Sequence, residues 1–371
     1  MRDNVGAVKL VVPSEEMAYT IFETLNDRGL ELSPLDLVKN HLFARAAAHS
    51  PARVRLMETR WAQMMQTLAN VRVDQFLKAF WTSRHGRIRT RNLFDEFKKQ
   101  YPNSEAANDL SIDMLGAAEQ YAALETADDP VWAPHSPHTR NLVRVLKVIG
   151  SQLAHPVILA ALARFDPTQM ERLLRLLEVC IVRYLHIGAG NTGRFETTCA
   201  ILARKIYANE VTTATQARAE LNGVYPPDPD FRLAFLSKEE ENNQKAQYFL
   251  RRLEIEVRRV ASGAMPGELE PGTLTVEHVL PKNPGQEWES ITSNDPDIVE
   301  DCVFRLGNLF LLTEVNRRLA REPFSEKVKV YAGSELHTTR EIAGHSGWAR
   351  RQIEARQAKM AATAVTVWRF E

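Results

Sequence analysis

Two short stretches of the 371-residue chain carry residue types that together can hydrolyse a phosphodiester. In TLTVEHVLPKN, residues 273–283, Glu277 and His278 stand side by side at the end of a β-rich run that stops at Pro281. In LGNLFLLTEVNRRL, residues 306–319, Asn308 opens a second apolar run, and Asn316 follows eight residues later where a helix is expected to begin. A neutral imidazole can take a proton from water near neutral pH. A carboxylate oxygen and an amide carbonyl oxygen are hard ligands suited to one Mg²⁺ or Mn²⁺ that keeps several waters. Such an ion would hold a scissile phosphate and stabilise a departing alkoxide. An amide on the strand could hold the imidazole in its productive orientation.

These roles require elements that bring the two stretches together. Adjacent strand residues point to opposite faces, so Glu277 and His278 are not expected to pair with each other. At a strand end the peptide can twist, and the two side chains can then serve metal and water separately. Asn308 and Asn316 must return toward the first strand, which a strand–turn–helix unit achieves if the two strands pair. The expected order from residue 273 onward is strand, acidic irregular loop, strand, helix, with a closing helix through GWARRQIEARQAKMAATAV.

Upstream, the pattern from Arg53 to about Val260 is almost wholly helical. Segments near 53–70, 73–82, 91–99, 104–124, 139–149, 154–163, 167–187, 193–207, 212–222, 229–236 and 239–253 carry apolar residues at i, i+3 and i+4 spacing. Before them, AVKLVV reads as a strand, and EEMAYTIFETLNDRG as a helix closed by Gly29. A further helix is expected to start at Ser33–Pro34. The stretch ASGAMPGELEPG, residues 261–272, is a Gly/Pro-rich linker of the kind that separates domains. HIGAGNTGRFE, residues 186–196, follows a helix rather than a strand and lacks a Lys-Ser/Thr ending, so it reads as a helix–helix turn and not a phosphate loop.

Composition is that of an ordinary globular chain, 44% hydrophobic and 25% charged. Lys+Arg and Asp+Glu balance at 47 each, so whole-chain charge points to no polyanionic partner and local charge has to be read. From Asn316 to Met360 ten Lys/Arg stand against five Glu, a net +5 that includes Arg317 and Arg318 and favours a polyphosphate. Between Asn283 and Asp301 there are six acids and no Lys or Arg, so that loop is expected to face away from DNA. Cys180, Cys199 and Cys302 form no CxxC pair, and the first two sit in apolar helical surroundings. They read as inert thiols in a reducing cytoplasm. No apolar run of about twenty residues is present to span a bilayer.

The blocks VEHVLPKN, RLGNLFLLTEVNRRL and FSEKVKVY resemble the HNH, or His-Me finger, nuclease domain of GmrSD-type modification-dependent restriction endonucleases. AYTIFETLNDRGLELSPLDLVKNHLF resembles the part of their sensor domain that follows its nucleotide-binding core, and the middle, with YFLRRLE, resembles their helical region. The resemblance implies a mainly α chain: residues 1–50 as the end of a sensor domain, 51–260 as a helical domain, and 261–371 as a small ββα-metal nuclease domain. It implies His278 as general base, Asn308 as the finger's central Asn, Glu277 and Asn316 as ligands of Mg²⁺ or Mn²⁺, and Lys327 as a phosphate contact. It further implies cleavage of DNA in restriction of foreign or modified phage DNA. The family's DGQQR signature is absent from this sequence. The expectation is therefore a truncated start or a separate sensor subunit that supplies the nucleotide-binding core.

Other readings fit parts of the pattern. LNDRGLELS is explained by a helix C-cap, a turn and a new N-cap, against a nucleotide or DNA contact by Asn26 and Arg28. The remaining histidines show no metal-ligand spacing. A non-catalytic adaptor that binds DNA or a partner protein, and an RNA-directed nuclease, are the alternatives to DNA cleavage.

Overall fold

Short polar residues ahead of proline or a polar run set several helix starts. In the computed structural model, which describes residues 33–264, 266–267, 269–313, 319 and 322–370, Ser33 accepts a hydrogen bond from the Asp36 amide and Pro34 opens the helix Pro34–Ala47. Ser50 with Pro51 does the same for Pro51–Thr67, and Asn103 caps Ser104–Ala122. The strand expected within residues 1–12 and the helix closing at Gly29 lie outside the described residues.

The described chain is mainly helical, and it divides into two compact units. One comprises the described residues up to Val143 with Gln152–Arg172 and Glu196–Ala217. Its helices bury Phe76, Phe80, Phe97, Met114 and Tyr121, all nearly inaccessible to solvent. Arg84 in this unit is buried, pairs with Asp113 at 2.6 Å and lies over the Phe80 ring at 4.0 Å. Such a buried guanidinium needs both partners to offset its desolvation.

The other unit comprises Arg144–Ser151, Leu173–Phe195 and the described residues from Arg218 onward. Its long helix Asn243–Ser262 is started by Asn242, whose side chain accepts from the amides of Gln244 and Lys245. Helical periodicity places this start near residue 239; instead Glu239 forms an isolated antiparallel bridge with Arg305, and the Asn242 cap delays the helix. Strands β1 (Thr275–His278) and β2 (Leu309–Leu312) pair antiparallel, with His278 opposite Leu309 and Glu277 opposite Phe310. Around them pack Phe324–Ala332, His337–Arg340 and the closing helix Arg350–Val367.

The acidic stretch between the strands is not the irregular loop expected. It forms the helices Glu289–Asn294 and Ile298–Cys302, because Trp288, Ile298 and Cys302 are buried in the same core as Val279, Leu280, Phe310, Tyr331 and Trp348. The Gly-rich turn after His186 follows a π-helical segment, Ile181–Ile187, as the reading of a helix–helix turn expects. Cys180, Cys199 and Cys302 are all buried, which for Cys180 and Cys199 is the placement expected.

Candidate active site

The strand pairing sets Glu277, His278 and Asn308 at one end of the two-stranded sheet. Asn308 ends a 3₁₀ turn, Leu306–Asn308, immediately before β2, and its carbonyl accepts from the Val279 amide at 3.0 Å. Its side chain is completely buried. Oδ1 accepts from the Leu280 amide at 2.8 Å and from the Trp348 indole at 3.0 Å; Nδ2 donates to the carbonyls of Leu280 and Val303, each at 3.0 Å. A carboxamide has two N–H donors and two acceptor lone pairs, so all four places are taken. The expectation that this amide holds the imidazole is therefore corrected: it fixes the backbone that follows the imidazole.

His278 packs edge-on against Phe304, ring centroids 5.8 Å apart. Its Nε2 is buried without a hydrogen-bond partner. Burial first, and the charges of Lys282 and Lys327 second, push its pKa down to about 4, so the ring is neutral at physiological pH. Glu277 is half-buried on the other side of the strand, where Lys327 and Tyr331 are its electrostatic neighbours. Burial raises its pKa above the usual carboxylate range, against the pull of Lys327.

Lys327 does not stand where a phosphate backbone could pass. It is completely buried, and its ammonium donates to the carbonyls of Val279 at 2.8 Å and His278 at 3.3 Å, while lying 5.3 Å from the centre of the Trp288 ring. Burial pushes its pKa down to about 8. The amphipathic placement explains this: Phe324, Lys327 and Tyr331 share one face of their helix, and that face is the one turned to the core.

The other basic residues of this stretch are largely engaged. Arg356 is buried, with one guanidinium nitrogen donating to the carbonyls of Gly307 at 2.8 Å and Leu309 at 2.7 Å. Arg350 pairs with Asp295 and Asp301, two of the six acids between the strands. Lys329 pairs with Glu326, and Lys359 with Glu341. The net +5 therefore does not describe an open basic surface among the described residues. Asn316, Arg317 and Arg318 lie outside the described residues, as do Asn26 and Arg28.

Among the described residues no group of three or more His, Cys, Asp or Glu converges as a metal cage. A Mg²⁺ ion needs less than that: it is commonly held by one or two carboxylates, substrate phosphate and water. Glu277 supplies one carboxylate of that kind, half-buried near the end of β1.

Periodicity does not reveal the residues that support the turn before β2. Besides Trp348 and Arg356, Gln357 accepts from the Gly307 amide at 3.1 Å and donates to the carbonyls of Phe235 and Lys238, both at 2.9 Å. The one local signal is Gly307 beside Asn308. A Cβ there would come within 2.3 Å of the Ile353 carbonyl, so the closing helix approaches the turn as near as glycine permits.

Among the described residues no helix is long and apolar enough to cross a membrane. Comparison with curated proteins gives no match. Comparison with protein families matches residues 225–363, the stretch that holds β1, β2 and every residue of this site, to the GmrSD restriction endonucleases, C-terminal domain.

Proposed function

We propose that the C-terminal unit is a metal-dependent endonuclease of the HNH, or His-Me finger, type that cleaves DNA phosphodiester bonds. The observation that carries this reading is the buried, unpartnered Nε2 of a neutral His278 in the segment that matches the GmrSD restriction endonuclease C-terminal domain. An unsatisfied buried polar atom costs about 1–3 kcal/mol, and a group kept in that state calls for a functional account.

In this reading His278 takes the proton of the water that attacks phosphorus, and the bond to the 3′ oxygen breaks. Glu277 and Asn316 would hold a Mg²⁺ or Mn²⁺ ion, which would supply Lewis-acid stabilisation of the charge that grows in phosphodiester cleavage. Asn308 and Lys327 keep the His278–Leu280 backbone in one conformation, through hydrogen bonds to its amides and carbonyls. The wider role is restriction of foreign or modified phage DNA in the cytoplasm.

The test is nicking of supercoiled plasmid by the full chain in Mg²⁺, with His278→Ala beside it. Loss of metal-dependent nicking with retained DNA binding is expected. An unchanged nicking rate in the variant removes His278 as base and favours a non-catalytic DNA- or partner-binding adaptor. Matched RNA and DNA substrates decide which polymer is cut.

A further inference from the structure

We infer that Lys282 is the cation that receives the phosphodiester presented to His278, an assignment that rests on the hydrolytic reading above. Two lysines lie near the imidazole: Lys282 shares the Phe304 ring with it, and Lys327 bonds to the His278 carbonyl. Lys327 is enclosed and committed to two backbone carbonyls. Lys282 is exposed and has no carboxylate partner among the described residues. It is the one of the two that a phosphate oxygen can reach.

Its position is defined by the same ring that backs the base. The Lys282 Nζ lies 4.8 Å from the centre of the Phe304 ring, and the His278 imidazole packs on that ring at 5.8 Å. The separation of ammonium and imidazole therefore cannot exceed those two distances combined. A cation–π contact at an exposed site is worth roughly 0.5–1 kcal/mol, weak enough to be exchanged for a charge-assisted bond to phosphate.

The peptide leading to Lys282 is also held. Val279 and Leu280 are tied to Asn308 by both amides, the carbonyls of Val279 and Leu280 are bonded to Lys327 and Asn308, and Pro281 is buried. Lys282 thus leaves the fold from a fixed point four residues beyond the base. As the attacking oxygen bonds to phosphorus and the 3′ oxygen leaves, negative charge grows on the non-bridging oxygens. The ammonium opposes that charge without gaining or losing a proton.

The experiment pairs single-turnover nicking of supercoiled plasmid in Mg²⁺ with binding of a fluorescent DNA duplex in Ca²⁺ over a NaCl series. Lys282→Ala is expected to nick on the order of a hundredfold more slowly. Its log Kd against log salt slope should fall by about 0.9, the share of one phosphate contact. Lys282→Arg should restore most of both. Wild-type nicking and slope in Lys282→Ala, beside an inactive His278→Ala, overturn this inference and leave the hydrolytic reading standing. A His278→Ala protein that nicks like wild type overturns that reading, and this assignment with it.

Discussion

Asn308 grips Leu280 by both of its backbone polar atoms, accepting from the amide at 2.8 Å and donating to the carbonyl at 3.0 Å. The two residues are 28 positions apart in sequence, so one carboxamide does across β1 and β2 what a further ladder pair would do. The contact converts the end of β1 into a fixed exit path for the chain after His278. A buried group with all four hydrogen-bonding places filled specifies one conformation, since any shift leaves several partners unmatched.

Asn308→Ala should therefore be among the most damaging single changes in this unit. It strands the amide and carbonyl of Leu280, the Val303 carbonyl and the Trp348 indole, each at about 1–3 kcal/mol if it stays dry. Allowing for relaxation, a loss of about 3–5 kcal/mol is expected. Urea denaturation followed by the fluorescence of Trp348 and its neighbours measures it. A loss under 1 kcal/mol would mean that the clamp is dispensable.

Gly307→Ala tests the close approach of the closing helix. An added Cβ would meet the Ile353 carbonyl at 2.3 Å and the Gln357 Cβ at 2.9 Å, neither of which is the free end of a flexible side chain. Overpacking of this kind costs about 1–3 kcal/mol, so the urea midpoint should fall. If the midpoint holds, the helix yields to the methyl group, and the turn is less rigidly backed than its hydrogen bonds imply.

Helix starts were legible where a cap and a proline coincide, as at Ser33–Pro34, because both act within one turn of chain. The two strands were legible as short apolar runs, whereas their pairing was an assumption that the antiparallel register bears out. The role of Asn308 was not: its partner Trp348 lies 40 residues on, and a backbone carbonyl such as that of Val303 leaves no mark in sequence. Lys327 shows the opposite case. Its spacing from Phe324 and Tyr331 put it on the core face, but a lysine's charge pulls the reading toward solvent. The basic surplus after Asn316 misleads for a related reason, since net charge counts Arg350 and Arg356 equally whether paired, buried or free.

Lys327→Met separates a backbone clamp from a phosphate contact. Methionine fills similar space beside Trp288 but abandons the carbonyls of His278 and Val279. Stability should drop by about 1–3 kcal/mol, and nicking should fall with it. The salt slope of duplex binding should stay at its wild-type value, because no phosphate contact is removed. A slope shallower by about 0.9 would return Lys327 to the DNA surface.

Acid should weaken the two units through different groups. In one unit His155 is buried against Tyr121 at 5.3 Å, and burial pushes its pKa from 6.5 down to about 4. As pH falls from 6.5 to 4 the unfolded chain takes up this proton while the folded chain does not, so stability declines across that window and His155 adds no further loss below it. In the other unit Glu178 is completely buried; burial alone would raise its pKa, but Arg252, Arg175 and the Tyr248 hydroxyl outweigh that and hold it at about 2. Its contribution is fully present above its ordinary value of 4.5 and is lost as pH falls through 4.5 toward 2. Each window corresponds to something on the order of 3 kcal/mol. Urea titrations at half-unit pH steps should show His155→Gln flattening the upper window and leaving the lower one intact. Glu178→Gln should remove the lower window and, by leaving two guanidinium groups without their buried counter-charge, lower stability at neutral pH by about 3–5 kcal/mol. Wild-type pH slopes in both variants would show that neither group carries the acid response.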